Sequence, residues 1–111
     1  MHWRAALIVS ATLLASCGHG SGALRSATDD EVRSVQNHEA DLARACAIAR
    51  DRSATCEARC GATRAAVDAS AAVCTVTSPV RDTDLRARCD NAKNTVVELQ
   101  QGMAAACPCT G

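Results

Sequence analysis

The sequence predicts an all-α fold, in which a leading helix precedes an antiparallel, disulfide-stapled helical hairpin to give a two- to three-helix bundle. After residue 28, apolar and small residues recur at alternating spacings of three and four residues, the period of a helix with one buried face. Six of the eight cysteines lie between positions 56 and 109, near the ends of the last two predicted helices. Because Pro79 stops one helix shortly before the next begins, we expect the two to lie antiparallel with their ends cross-linked.

The predicted core is thin, because the chain has no Phe or Tyr and its only aromatic residue is Trp3. Burial of a large aliphatic side chain contributes about 1.5 to 3 kcal/mol, whereas ordering the backbone costs about 1 to 2 kcal/mol per residue. A core of this kind calls for cross-links. Eight cysteines in 111 residues are also typical of a small domain exported to an oxidising compartment.

Residues 1 to 16 have the pattern of an export signal peptide. A positively charged start is followed by an apolar run from Ala5 to Leu14 and by small residues, and the run is too short to remain as a membrane-spanning helix. The segment Leu14-Ala15-Ser16-Cys17, which spans the end of this region and the residue after it, resembles the lipobox of bacterial lipoproteins. The resemblance implies that the Cys17 thiol is lipidated and becomes the N-terminus after cleavage. The alternative is an ordinary secretory signal with a chance cysteine.

Residues 17 to 27 form the predicted flexible tether, which is rich in Gly and Ser near its start. Bacterial lipoproteins with Asp directly after the lipidated cysteine are commonly kept in the inner membrane, and this chain has Gly18 there. The resemblance therefore implies a lipid-anchored protein of the cell envelope, in the outer membrane rather than the inner one.

Residues 28 to 55 form the predicted leading helix. Thr28 and Glu31 have the spacing of a capping box, and apolar or small residues follow with helical period up to Ala49. The same spacing runs on, so periodicity alone permits one continuous helix over 29–76. We favour a break near Ser53, because this stretch is polar and either Ser53 or Thr55 can cap a new helix.

Residues 56 to 111 form the predicted hairpin, with helices over 62–76 and 84–105. Ser78-Pro79 ends the first helix, Asp82 or Thr83 caps the second, and Cys107-Pro108-Cys109 ends it. Antiparallel packing places Cys74 opposite Cys89 beside the turn.

At the other end of the hairpin, Cys56 and Cys60 lie opposite Cys107 and Cys109. Antiparallel partners have a nearly constant sum of residue numbers. The nested pairs Cys56–Cys109 and Cys60–Cys107 keep that sum most constant, and the crossed pairs Cys56–Cys107 and Cys60–Cys109 depart from it only slightly more.

Cys46 is the cysteine left over. An odd cysteine in an exported protein predicts either a buried free thiol or an intermolecular bridge, here a disulfide-linked dimer. If the leading helix folds back, a third alternative is a bridge from Cys46 to Cys60.

The C-x3-C pair, the segment Arg88-Cys89-Asp90-x-Ala92 and the terminal Ala-Cys-Pro-Cys resemble short, alanine- and arginine-rich, cysteine-rich lipoproteins of unknown function from GC-rich Gram-negative bacteria of the myxobacterial kind. The resemblance covers about half of the chain. It implies a location and a helical fold but no activity, because that group has no assigned activity.

The functional prediction is a membrane-anchored structural or protein-interaction module that presents its helix faces to an envelope protein. After residue 17 the only histidines are His19 and His38, and there is no phosphate-binding Gly-rich loop or Gly-x-Ser-x-Gly elbow. We therefore predict no enzyme, no catalytic residue, no cofactor and no small-molecule substrate. Basic and acidic residues are equal in number and interspersed, which predicts no nucleic-acid partner.

The alternative prediction uses the four cysteines at the open end of the hairpin. Cys56, Cys60, Cys107 and Cys109 would then serve a periplasmic thiol-redox or soft-metal-binding protein, since C-x3-C lies within the spacing of metal ligands. Oxidising surroundings favour disulfides over a metal site, so no metal ligand is assigned.

Overall fold

A computed structural model describes residues 23–109 as three α-helices. They are α1 (Asp29–Arg50), α2 (Cys56–Thr77) and α3 (Thr83–Ala106). The all-α fold with a leading helix and a disulfide-stapled hairpin is confirmed, and α1 and α2 are separate helices rather than one continuous helix over 29–76. None of the described helices is long and apolar enough to cross a membrane.

Helix α1 begins with the predicted capping box. The Thr28 side chain accepts a hydrogen bond from the Glu31 backbone N–H, and the Glu31 carboxylate accepts one from the Thr28 N–H. Both guanidinium ends of Arg25 donate to the same carboxylate, at 2.6 and 2.7 Å. The hydrogen bonds from Arg25, followed by that from the Thr28 backbone, lower the pKa of Glu31 from 4.5 to about 2.

The break between α1 and α2 is a compact turn over 51–55. The Asp51 carboxylate accepts hydrogen bonds from the Ser53 hydroxyl and the Ser53 backbone N–H, and these lower the pKa of Asp51. Thr55 then caps α2 by accepting from the Ala58 N–H at 3.1 Å. The polar stretch that the sequence offers here satisfies its own backbone groups and so starts a second helix.

The turn between α2 and α3 holds the end of the predicted tether. Arg25 donates its N–H to the Pro79 carbonyl at 3.1 Å and accepts from the Arg81 N–H at 2.8 Å, which forms a single parallel β-bridge. The Ala27 N–H donates to the Asp82 carboxylate. The flexible tether predicted for 17–27 is therefore ordered over residues 25–27, because the turn offers free backbone groups that pair with it.

Asp82 occupies the N-cap position of α3 without capping it. Its side chain makes no hydrogen bond to the first turn of α3 and accepts from Ala27 instead. The prediction that Asp82 or Thr83 caps α3 gave the right position for the helix start, but the Asp82 carboxylate binds the Ala27 N–H rather than the first turn of α3.

Helix α2 packs between α1 and α3 and is antiparallel to both. Val35, Val73 and Val80 are fully buried, and much of the remaining interior is alanine. Buried alanines occur in all three helices: Ala45, Ala49, Ala62, Ala66, Ala69 and Ala92. Small side chains let the helix axes approach closely, which is the geometry that a disulfide between two helices requires.

Glu39 interrupts the apolar stripe of α1 because it faces α3. Its carboxylate lies 3.6 Å from the Arg88 guanidinium, and both side chains are about one-third exposed. Glu39 thus contributes an ion pair between α1 and α3.

Candidate functional site

The chemistry-bearing residues of this protein gather at one end of the bundle, which we call the base. The base consists of the end of α1, the turn over 51–55, the start of α2, the end of α3 and residues 107–109. The opposite end, which carries residues 25–27 and the α2–α3 turn, is called the top.

Two disulfides close the base, and they form the crossed set. Cys56 is bonded to Cys107 with a Cα–Cα distance of 5.4 Å, and Cys60 is bonded to Cys109 at 5.5 Å. The ends that the sequence predicts to be joined are joined, but the nested pairing that it slightly favours is wrong.

The crossed pairing follows from the path of the tail, residues 107–109, after the end of α3. Helix α3 ends at Ala106, so the rule for antiparallel helices still applies to Cys107, which pairs with Cys56. Beyond that point the chain is extended and runs alongside α2. Two extended residues advance roughly 7 Å and four helical residues roughly 6 Å, so Cys109 comes beside Cys60.

The third disulfide lies near the top. Cys74, in the last turn of α2, is bonded to Cys89 in the second turn of α3, with a Cα–Cα distance of 4.7 Å. The hairpin of α2 and α3 is therefore cross-linked at both ends. Each bridge lies within the range of Cα–Cα distances that disulfides adopt.

The four sulfurs at the base are engaged in S–S bonds and supply no thiolates in this state. Metal binding and thiol exchange need thiolates. Within residues 23–109, no group of three or more His, Cys, Asp and Glu side chains is arranged to hold a metal ion. In this oxidised state the base is a covalent clamp.

Cys46 lies on α1 as a free thiol, with only 4% of its surface exposed. The alternative bridge to Cys60 is absent, since Cys60 is bonded to Cys109. A disulfide to a second chain requires a sulfur at the surface, and that of Cys46 is covered by the packing of the helices. Its position in the structure is that of a buried thiol.

A cavity of about 550 Å³ opens at the base between the ends of α1 and α3. Three arginines line it, namely Arg50 from the end of α1, Arg52 from the turn and Arg59 from the start of α2. Leu99 and Met103 supply a buried apolar floor. The sequence does not reveal this site, because Arg50 and Arg52 lie in the polar stretch near Ser53, which predicts only a break between helices.

A second cavity, of about 450 Å³, lies between α2 and α3 near the base, and no residue of α1 lines it. Its walls include Val67, Met103 and Pro108. Val67 is 38% exposed, and Ile48 on α1 and Val97 on α3 are each 49% exposed. The helices therefore present apolar side chains on their outer faces as well as in the core.

Cys17, the predicted lipidation site, and the predicted signal peptide at 1–16 lie outside the described residues. No protein-family model, curated protein or solved structure matches this chain. The resemblance of residues 14–17 to a lipobox therefore stays a prediction from the sequence.

Proposed function

We propose that this protein is a small lipoprotein of the cell envelope, anchored in a membrane through Cys17, that acts as a rigid structural or protein-interaction module. The helical bundle is the part offered to a partner, and residues 17–24 are the tether that links it to the anchor. The observation that carries the proposal is the set of three disulfides, which lock α2 and α3 together at both ends.

The disulfides support a role outside the reducing cytoplasm. A chain with an aliphatic core made largely of alanine gains little from burial, and cross-links are how small exported domains compensate. All three bridges join segments within one chain. The bundle is thus held as one unit that needs no partner for its cross-links.

The arrangement of the termini supports presentation away from the membrane. The chain enters the bundle at the top, where residues 25–27 are bound to the α2–α3 turn. Helix α1 has 22 residues and so extends about 33 Å from there to the base. With Cys17 in a bilayer, the base would be the end of the bundle opposite the one at which the anchored segment enters.

The outer faces of the helices support an interaction role. Ile48, Val67 and Val97 are large apolar residues that remain substantially exposed. An envelope protein is the class of partner that we propose for these faces.

The anchor is tested by Cys17→Ala, with Ser16→Ala as the control that alters the neighbouring residue and keeps the cysteine. We expect the control to stay in the membrane fraction of the host and Cys17→Ala to leave it. An unchanged membrane fraction for Cys17→Ala would remove the lipid anchor from the proposal.

Thiol titration of the purified, denatured protein separates the structural role from the redox or metal alternative. Three disulfides and Cys46 predict one titratable thiol in the bundle. Four or more thiols with a bound metal ion would favour the alternative at the base.

A further inference from the structure

We propose that the cavity at the base is a binding site for a phosphoryl group, held by Arg50, Arg52 and Arg59. This site goes beyond the structural role proposed above, because it assigns a ligand to the base of the bundle. Phosphoryl groups occur both on soluble phosphate esters and on lipid headgroups, and the test below distinguishes these sources.

The three arginines bring positive charge to one place, where the nearby acidic groups are Asp51, which interacts electrostatically with Arg59, and Glu98. Within residues 23–109 none of the three forms an ion pair at salt-bridge distance, which leaves their guanidinium groups available to an anion. A guanidinium stays protonated at all relevant pH values and offers a planar set of donors that matches phosphate oxygens. Three such groups around one cavity suit a dianionic, tetrahedral phosphate better than a single carboxylate.

Arg59 is held in position by the base itself. Its Nε donates to the Ala49 carbonyl at 2.7 Å, and its Nη1 lies 3.6 Å from the sulfur of Cys107. These contacts leave Nη2 without a hydrogen bond among the described residues. A half-buried guanidinium fixed by two contacts loses little further freedom when it binds an anion.

Gly102 keeps the cavity open. It lies inside α3, where a glycine costs about 1 kcal/mol relative to alanine. An ideal Cβ at this position meets nothing within 4 Å, so no close approach of another helix requires the glycine. Gly102 lines the cavity, so a large side chain there has room to extend into it.

Three further residues set the electrostatics of the site. The buried side chains of Leu99 and Met103 form a floor that excludes water on one side, which strengthens charged interactions at the cavity. Glu98 lines the same cavity and opposes an anion. Removal of the Glu98 charge is therefore expected to tighten phosphate binding.

The rival explanation is that the arginines only neutralise helix ends. The carbonyl ends of α1 and α3 both meet at the base and attract cations, and the contact from Arg59 to Ala49 is an interaction of this kind. Loss of the arginines would then lower the free energy of unfolding and leave no specific anion binding to lose.

The probe is inorganic phosphate, titrated at low ionic strength into the full chain with its three disulfides intact, in a nonionic detergent. Binding is followed by the NMR signals of the Arg59 Nε–H and of the Arg52 backbone amide. We expect acetate to bind at least about tenfold more weakly, because a monoanion offers one bidentate pair. Acetate that binds as tightly as phosphate would overturn the phosphoryl assignment.

The variants test whether the cavity is the site. Arg50→Gln with Arg52→Gln should weaken phosphate binding at least about tenfold, whereas the charge-matched control, Arg64→Gln with Arg86→Gln, should change it less than about twofold. If both double variants weaken phosphate binding equally, the binding depends only on the overall surface charge, and the cavity is not the site.

Gly102 provides a test that leaves every charge in place. Gly102→Leu should abolish binding by filling the cavity, and Gly102→Ala should keep it. Urea unfolding of each variant reports whether the fold is retained. A folded Gly102→Leu protein that still binds phosphate would overturn the proposal, as would Glu98→Gln protein that binds phosphate more weakly than the original.

Vesicles separate the two sources of the phosphoryl group. The Cys17→Ala protein, which lacks the proposed lipid anchor and is kept free of detergent, is sedimented with phosphatidylcholine vesicles that contain phosphatidic acid, beside vesicles of phosphatidylcholine alone. Phosphatidic-acid-dependent sedimentation that Gly102→Leu abolishes assigns a lipid headgroup, and phosphate binding without it assigns a soluble phosphate ester. Absence of both would overturn the site.

Discussion

The two disulfides at the base should not contribute independently to stability. In the chain-entropy description, a bridge stabilises a protein by restricting its unfolded chain, and the effect grows with the length of the loop closed. Cys56 and Cys107 are 51 residues apart and Cys60 and Cys109 are 49 apart, so either bridge alone contributes about 4 kcal/mol.

Once one basal bridge is in place, the other closes a ring of only roughly six residues and adds about 2 kcal/mol. Replacement of either basal pair by alanine should therefore lower the free energy of unfolding by about 2 kcal/mol, and replacement of both pairs should lower it by about 6 kcal/mol. The loss from removing both pairs exceeds the sum of the two single losses, because either basal bridge alone still closes the long loop of the unfolded chain.

The assay is equilibrium urea unfolding of each variant, followed by far-ultraviolet circular dichroism. Every variant carries Cys46→Ala, so that no free thiol exchanges with the remaining bridges, and the Cys46→Ala protein is the reference. The matched control removes Cys74 and Cys89, whose loop of 15 residues is closed independently and predicts a loss of about 3 kcal/mol. Additive losses from the two basal pairs would refute the reasoning.

Three further changes test the packing and the electrostatics of the described residues. Arg25→Gln should raise the pKa of Glu31 from about 2 towards 4.5, as measured by NMR titration of the Glu31 carboxyl group, and an unchanged pKa would contradict this. Because the pKa of Glu31 is lower in the folded protein than in the unfolded chain, the contact stabilises the fold fully above pH 4.5. That stabilisation is lost as the pH falls towards 2. Gly102→Ala should raise the free energy of unfolding by about 0.5 to 1 kcal/mol, since the added Cβ meets open space, and a loss of stability in urea would show that the position is crowded. Leu99→Ala should lower the free energy of unfolding by about 2 to 5 kcal/mol, because Leu99 is buried. The control Ile48→Ala, at a half-exposed position, should lower it by less than about 1 kcal/mol. Similar losses in the two variants would mean that the core is misassigned.

The sequence was informative where one local rule decides the structure. Thr28 and Glu31 make the capping box that their spacing predicts, and Thr55 starts α2 where a polar stretch interrupts the apolar period. Cys74 and Cys89 flank a turn that Pro79 fixes, so their pairing follows from two helices that lie antiparallel. In each case the partners are close in sequence or are related by one regular element.

The sequence was less informative where segments distant along the chain compete for the same group. Asp82 can cap α3 or receive Ala27, and only the folded turn brings Ala27 within reach. The choice between nested and crossed basal bridges depends on the path of the extended tail after Ala106, to which helical register does not apply. The three arginines of the cavity lie close together in the sequence, but the opposite wall comes from the end of α3, and no spacing along the sequence encodes that contact.

The most direct test of this account is intact-mass and disulfide-mapping spectrometry of the protein taken from its native membrane. Trypsin cuts after Arg59 and so separates Cys56 from Cys60, but Cys107 and Cys109 stay on one peptide and must be resolved by partial reduction and alkylation. We expect an acylated chain that begins at Cys17 and contains the bridges Cys56–Cys107, Cys60–Cys109 and Cys74–Cys89. An unprocessed chain with all of its thiols reduced would contradict it.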